Sequence, residues 1–163
     1  FLAGLLEHAR ELGWFFAPYP NSYKRYRAGT FAPTGIAWSY DNRTAGFRVV
    51  GSGPSLRVEC RIPGADANPY LACAALLAAG LEGIERRLDP GPGFQGDAYA
   101  SKDLPQVPHS LAEAAAELEK SEFASKALGA DVVEHYLHFA RTEERAIATR
   151  VSDVERARYF ERI

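Results

Sequence analysis

The sequence predicts an α+β fold, in which a curved, mainly antiparallel sheet carries helices packed on one face. Apolar and polar residues alternate in the runs 47–49 and 56–60, and this period of two is typical of half-buried strands. Apolar residues recur at helical spacing in three longer segments, 1–12, 69–88 and 131–151. Both patterns in one chain of 163 residues predict a single domain with a workable core.

The composition limits what the chain can be. It contains no methionine and opens on Phe1, which indicates a piece of a longer protein. The net charge of −2 argues against a nucleic-acid partner. Cys60 and Cys73 fit neither a metal site nor a disulfide framework, so we expect a reduced, cytoplasmic setting. The apolar run 71–81 is too short for a membrane span, so no membrane partner is expected.

The first predicted helix runs from Phe1 to Leu12 and ends near Gly13. His8 lies inside it, and a lone histidine on a helix is read as structural or solvated rather than catalytic. A short strand is predicted over residues 36–40.

A second helix is predicted from the capping pair Asn68 and Pro69 to about Leu88. It is apolar on nearly all sides through most of its length, so we expect it to lie under the sheet and support the strand at 57–61. Cys73 is then read as a small buried hydrophobe.

The remainder is predicted to be a loop rich in Gly and Pro, over residues 89–107, followed by four helices. The predicted helices are one from a capping box at 110–113 to Lys120, one at 122–128, one at 131–151, and one after a capping box at 152–155. In the long helix the residues expected to face inward are Val132, Val133, Tyr136, Leu137, Ala140 and Ile147. His135 and His138 share a face, but no third metal ligand is evident, so a metal pair is not favoured.

The two strand runs carry a charged face. Residues 51–54, Gly-Ser-Gly-Pro, break the runs as a turn would, and a loop of these four sets Arg48 opposite Arg57. Arg48, Arg57, Glu59 and Arg61 then share one sheet face. Neighbouring arginines suit a bound anion, because the guanidinium fork matches phosphate and carboxylate, and Glu59 is suited to a divalent cation shared with a polyphosphate. A solvated outer face explains this pattern equally well.

Four motifs resemble, in their order and spacing, the second half of the glutamine synthetase catalytic domain. They are Asn21-Ser-Tyr-Lys-Arg25, Asn42-Arg-Thr-Ala45 with Arg48, Arg57-Val-Glu-Cys-Arg61 and Ala67-Asn-Pro-Tyr-Leu71. The ending at 151–161 also resembles the family's, with Val154 where a tryptophan is usual. The similarity covers nearly all of the chain, and the motifs are highly specific together although each alone is weak.

The resemblance implies roles in substrate and metal binding. Arg25 matches the arginine that grips the carboxylate of the substrate glutamate, and Arg61 matches a second contact to glutamate. Glu59 matches a metal ligand, which implies Mg²⁺ or Mn²⁺ as a cofactor.

The resemblance also implies an ATP site. Arg43 matches the catalytic arginine near the transferred phosphoryl group, and together with Arg48 and Arg57 it is expected to hold the nucleotide phosphates. The implied reaction is attack of the γ-carboxylate of glutamate on ATP to give an acyl phosphate, which an amine then displaces. Such chemistry depends on positioning and charge neutralisation, which arginines and metal ions supply.

Gly29 and Pro33 bracket a predicted mobile loop, which the resemblance makes a flap over the glutamate site. Ammonia-using members place a glutamate of the ammonium site where this chain has Phe31. A phenylalanine offers an apolar wall or a cation–π face but accepts no proton, which favours a larger primary amine, as in the γ-glutamylpolyamine and γ-glutamylethanolamide synthetase branches. Moving the alignment of this loop by one or two residues does not bring an acidic residue to this position, because no Asp or Glu occurs between Glu11 and Asp41.

By resemblance, residues 1–163 form the C-terminal portion of the catalytic domain, without the N-terminal β-grasp domain and the first half that supplies further metal ligands. The piece alone is therefore expected to be inactive. The parent is predicted to be a ring-shaped homo-oligomer that joins glutamate to ammonia or a primary amine with ATP. Two alternatives are an ordinary glutamine synthetase with a variant flap and a catalytically dead homologue kept for assembly. Tyr99 lacks the context of the family's adenylylated tyrosine.

Overall fold

A three-stranded sheet lies at the centre of the charged region. In the computed structural model, which describes residues 1–162, the strands are β1 (Trp38–Tyr40), β2 (Phe47–Val50) and β3 (Arg57–Cys60), in the order β1-β2-β3. β2 pairs with β3 antiparallel, as predicted, and with β1 in parallel, so the sheet is mixed. With the helices described next, this confirms the α+β class.

The register of the β2–β3 hairpin differs from the prediction. Residues 51–56 connect the strands, including a short 3₁₀ turn at Gly53–Ser55, so the loop is longer than the four residues expected. Arg48 pairs with Glu59 instead of Arg57. The two registers differ by an even number of residues, and because side chains alternate with a period of two, the charged residues keep the predicted face.

The described residues form seven α-helices. These are α1 (Leu2–His8), α2 (Gly13–Phe16), α3 (Pro69–Glu85), α4 (Leu111–Lys120), α5 (Glu122–Leu128), α6 (Ala130–Ala148) and α7 (Asp153–Tyr159). The predicted first helix was too long, since it ends at His8, and Gly13 begins α2 instead of ending α1. The predicted caps are confirmed where Asn68, Ser110 and Ser152 accept hydrogen bonds from the first turns of their helices.

α1 and α3 pack unusually closely. A methyl group on Gly4 would come within 2.0 Å of the Ala79 carbonyl oxygen, and one on Gly83 within 2.5 Å of the Gly4 nitrogen. His8, at the end of α1, is 4% exposed and lies between the carboxylates of Glu11 and Glu82. These contacts fix α1 against α3.

The prediction that α3 lies buried under the sheet is wrong. Its main packing partners are α1, α2 and α5, and only its small-residue face is buried. Cys73, predicted to be buried, is exposed. When a helix is apolar on both sides, its sequence does not reveal which face packs against the rest of the chain.

The core joins α2 to α6 through aromatic rings. Trp14 lies 4.6 Å from Tyr136 and 6.1 Å from Phe139, measured between ring centroids. The prediction that Val132 and Ile147 face inward is wrong, since both are exposed on α6. Within residues 1–162, no helix combines the length and the apolar content that crossing a bilayer requires.

Candidate functional site

A cavity of about 190 Å³ opens on the charged face of the sheet. Its lining residues are Phe31, Arg43, Arg48, Glu59 and Arg61. All five were singled out from the sequence, and they come from three separate segments of chain. The fold therefore gathers the greater part of the predicted site at one place.

Glu59 is the centre of this cluster. Its Oε2 accepts a hydrogen bond from Arg48 Nη1 at 2.8 Å, and its Oε1 accepts one from Arg61 Nη1 at 2.7 Å. The pairing of β2 with β3 sets Arg48 directly across from Glu59, and Arg61 follows two positions later on the same face. Strand register alone thus places one carboxylate between two guanidinium groups.

These contacts shift the ionisation of both partners. The hydrogen bond from Arg48, followed by the charge of Arg61, holds the pKa of the Glu59 carboxyl below its ordinary value despite some loss of hydration. The same hydrogen bond, with another to Asp41, raises the pKa of Arg48. Glu59 is therefore a carboxylate at neutral pH, and both of its oxygens are held by arginines.

Arg48 has one hydrogen-bond donor that its two carboxylate partners do not use. Asp41, at the end of β1, forms an ion pair with its Nη2. The Nε of Arg48 is buried and has no hydrogen-bond partner among residues 1–162. Because this nitrogen is buried, a bound anion reaches it only when the Arg48 side chain moves.

Arg43 is held by the turn that precedes β2. The side-chain oxygen of Asn42 accepts hydrogen bonds from the backbone nitrogen and the hydroxyl of Thr44, at 2.9 and 2.7 Å, and its amide nitrogen donates to the Gly96 carbonyl at 2.8 Å. Arg43 itself is exposed and, among the described residues, forms no ion pair. It is thus available to an incoming anion.

Phe31 lines the cavity, and the residue is 68% exposed. Its φ of +57° lies in the left-handed region, which is unusual for a bulky residue. The Phe31 carbonyl accepts a hydrogen bond from Arg61 Nη2 at 3.2 Å, and the Thr30 hydroxyl donates to the carbonyls of Arg25 and Arg27 at 2.8 and 2.6 Å. The predicted flap is therefore tied to the charged cluster through Arg61.

Two predicted site residues lie outside the cavity lining. Arg25 donates hydrogen bonds to the carbonyls of Arg61, Ile62 and Pro63 at 3.2, 2.8 and 2.9 Å. In this conformation it braces the segment that carries Arg61, and its contact with substrate stays a prediction. Arg57 is exposed, lies across from Val50 and donates to the Ser55 carbonyl at 3.2 Å. Its contact with phosphate likewise stays a prediction.

The sequence analysis did not single out Asp41 as a contributor to the site. It named Asn42 only as part of a motif. A usable signal was present, since Asn-x-Thr is a common hydrogen-bonded turn and Asp41 precedes it directly after a strand. The ion pair of Asp41 with Arg48 depends on how β1 pairs with β2, which no local pattern gives.

The donor set fits a divalent cation only in part. Mg²⁺ is usually held by one or two carboxylates together with phosphate oxygens and water. Glu59 supplies one such carboxylate, while residues 1–162 contain no group of three or more His, Cys, Asp or Glu side chains placed to hold a metal. Glu59 would thus supply one ligand to a cation, and the remaining ligands would have to come from other groups.

Comparison with known proteins identifies the family of the chain. Residues 1–159 match the family model described as glutamine synthetase, catalytic domain. The chain is 52% identical over 163 residues to the γ-glutamylethanolamide synthetase GlnA4 of Streptomyces coelicolor, covering 100% of this chain and 35% of that protein. It is 42% identical over 164 residues to a glutamate–isopropylamine ligase of a Pseudomonas species, covering 99% of this chain and 36% of the relative.

Other relatives are named glutamine synthetase, among them that of Azotobacter vinelandii. Among solved structures, the ADP complex of GmaS superposes with a TM-score of 0.87 at 36% identity, over 99% of this chain and 39% of that one. The chain thus spans little more than a third of the length of the proteins it matches.

Proposed function

Since the chain belongs to the glutamine synthetase family, we propose that residues 1–163 are the C-terminal portion of the catalytic domain of an ATP-dependent ligase that couples glutamate to a primary amine. The observation that carries the proposal is the cavity that gathers Arg43, Arg48, Arg61 and Glu59 beneath Phe31. This arrangement can bind anions and one cation at the same spot, next to an aromatic ring.

The proposed reaction has two steps. The γ-carboxylate of glutamate attacks the γ-phosphorus of ATP, the bond to the bridging oxygen breaks, and ADP leaves behind γ-glutamyl phosphate. The amine nitrogen then attacks the acyl carbon, loses a proton, and expels inorganic phosphate to leave an amide. Little covalent help from the protein is needed, because positioning and charge neutralisation lower the barrier.

Each arginine of the site is proposed to contact a different part of the substrates. Arg43, unpaired and exposed, is proposed to contact the transferred phosphoryl group, where charge spreads over the equatorial oxygens. Arg48 is proposed to hold nucleotide phosphate, aided by Arg57 from the hairpin. Arg61, which bridges Glu59 and the flap, is proposed to contact glutamate. Arg25 supports Arg61 from behind and is proposed to reach the glutamate carboxylate when substrate is present.

Glu59 would hold Mg²⁺ or Mn²⁺, which when bound neutralises charge on the phosphates. Its depressed pKa keeps the carboxylate ionised for that role. A cation competes with Arg48 and Arg61 for the same two oxygens. We therefore expect both guanidinium groups to turn towards the phosphates when the cation is present.

The preference for an amine rests on Phe31. Its exposed ring gives an ammonium group an apolar wall and a cation–π face, whereas a carboxylate at this position would attract ammonium by full charge. Two relatives are named for reactions with amines, ethanolamide formation in one and isopropylamine ligation in the other. Relatives named glutamine synthetase keep ammonia as the alternative nucleophile.

The test is an assay of the full-length parent with glutamate, ATP and a panel of ammonia, ethanolamine, putrescine, spermidine and isopropylamine. We expect the kcat/KM for one of the amines to exceed that for ammonia. Phe31→Glu should shift the ratio towards ammonia by on the order of tenfold or more, since it restores a proton acceptor. Phe31→Leu, which keeps the apolar wall without the π face, is the matched control and should leave ammonia use low. A wild-type preference for ammonia would overturn the amine assignment.

We also propose where the parent protein lies in the cell and how it assembles. The two cysteines are unpaired, which agrees with a cytoplasmic location. Family resemblance supports a ring-shaped homo-oligomer for the parent. A catalytically dead homologue is disfavoured because Arg43, Arg48, Glu59 and Arg61 remain together in one cavity.

A further inference from the structure

Thr30 lies in the flap between two residues with left-handed backbone. Gly29 has a φ of +78° and Phe31 a φ of +57°. A glycine adopts this conformation without a steric penalty, and the space around Gly29 is open. In Phe31 the Cβ atom comes close to the following carbonyl oxygen, so this conformation persists only where neighbouring contacts hold it.

Thr30 supplies contacts of this kind. Its hydroxyl lies 2.6 Å from the Arg27 carbonyl oxygen and 2.8 Å from that of Arg25, and its one hydrogen is shared between these two acceptors. Its backbone nitrogen also donates to the Arg27 carbonyl, at 3.3 Å. Arg25 ends the 3₁₀ turn Ser22–Arg25, whose first two residues are buried. Thr30 therefore ties the flap to a turn that the core holds in place.

The chain that follows Phe31 is held in a different way. Ala32 and Pro33 are buried, and Arg61 Nη2 donates to the Phe31 carbonyl at 3.2 Å. Residues 27–31 are all exposed, so hydrogen bonds rather than packing hold the first half of the flap. Phe31 is thus the last exposed residue before a buried anchor, and Thr30 restrains it from the exposed side.

We propose that Thr30 is a positioning residue, which keeps Phe31 in its left-handed conformation and its ring beside the charged cavity. If the φ of Phe31 relaxed to an ordinary negative value, its Cα–Cβ bond would point in another direction and the ring would leave the cavity lining. The inference rests on the proposed function, in which this ring receives the alkyl chain and the ammonium group of the amine. It adds that the hydroxyl of Thr30 determines how well that amine is bound.

The effect should be selective for the amine. A ring that is already in place binds an alkylammonium ion without a further loss of conformational freedom. Ammonia has no carbon atoms for the ring to cover, and the nucleotide is proposed to contact arginines rather than the flap. Loss of the Thr30 hydroxyl should therefore weaken amine binding and leave the use of ATP unchanged.

The test compares Thr30→Val with Thr30→Ser in the full-length parent. Valine keeps the branched shape and removes the hydroxyl, whereas serine keeps the hydroxyl. Thr30 is exposed, so neither change disturbs the core. In Thr30→Val we expect amide hydrogen exchange in the peptide covering residues 26–33 to be faster by on the order of tenfold, the factor that one hydrogen bond contributes.

Steady-state kinetics give the second readout. In Thr30→Val the KM for the best amine of the panel should rise by on the order of fivefold to tenfold, while the KM for ATP stays within about twofold of the wild-type value. Thr30→Ser should restore both the exchange rate and the KM for the amine.

Unchanged exchange in Thr30→Val would overturn the proposal, because the hydroxyl would then not hold the flap. Faster exchange with an unchanged KM for the amine would also overturn it, as would equal effects of the valine and serine variants. A wild-type preference for ammonia is a separate outcome, since it removes the amine assignment of Phe31. The exchange comparison would still decide whether Thr30 holds the flap.

Discussion

At the scale of single residues, the decisive contacts are those of Glu59, whose two carboxylate oxygens are each held by a different arginine. Because Arg48 contributes more than Arg61, the two arginines should not be equivalent. In an NMR titration of the Glu59 carboxyl carbon, we expect a pKa below the ordinary value of about 4.3. Arg48→Gln should raise this pKa more than Arg61→Gln does.

The direction of the Glu59 pKa shift determines how the stability of the fold depends on pH. Since the pKa of Glu59 is depressed in the folded chain, its stabilising contribution is present above the unfolded pKa and is lost as pH falls through the folded pKa. A wild-type titration at the ordinary value would contradict this picture, as would a larger change from Arg61→Gln.

At the scale of elements, His8 joins α1, α3 and α5. Its two ring nitrogens contact Glu11 and Glu82, its ring stacks on Phe123 at 3.7 Å between centroids, and Arg86 approaches Glu82 at 3.3 Å. Burial lowers the pKa of His8, but hydrogen bonds and charge from the two carboxylates outweigh it and raise the pKa overall.

We therefore expect the chain to lose stability as pH rises. The contribution of protonated His8 is complete below its unfolded pKa of about 6.5 and disappears as pH rises through the folded pKa, at up to about 1.4 kcal/mol per pH unit between the two. Urea unfolding from pH 5.5 to 8.5 measures this slope. His8→Gln should flatten it, whereas His138→Gln, at an exposed position of α6, should not. An unchanged slope in His8→Gln would exclude His8 as the source.

Sequence patterns predicted these elements unevenly, for physical reasons. The helix starts at Asn68, Ser110 and Ser152 could be predicted from the sequence, because capping is a local interaction. The charged face of the hairpin was predicted although its register was not, since an even shift leaves the face unchanged. The role of Arg25 as a brace and the exposure of α3 depend on contacts between distant segments, which no local pattern contains.

At the scale of the whole molecule, three arginines and one carboxylate line the charged cavity, and residues 1–162 contain no group of three or more His, Cys, Asp or Glu side chains placed to hold a metal. A transferred phosphoryl group needs neutralisation from several sides at once, and water must be kept away from the acyl phosphate. The arginines and Glu59 that line the cavity can bind anions without lowering the activation barrier for the reaction between them.

We therefore predict that the isolated 163-residue chain releases no phosphate that depends on both ATP and glutamate, whereas the full-length parent does. The measurement is phosphate release with Mg²⁺ or Mn²⁺, with and without each substrate. Glu59→Gln is the control in both proteins, because it removes the carboxylate without changing the shape of the side chain. In the parent it should reduce turnover by on the order of 10²-fold, as loss of a central electrostatic contact does. Turnover by the isolated chain that Glu59→Gln abolishes would show that these residues are sufficient for catalysis, and would refute the prediction.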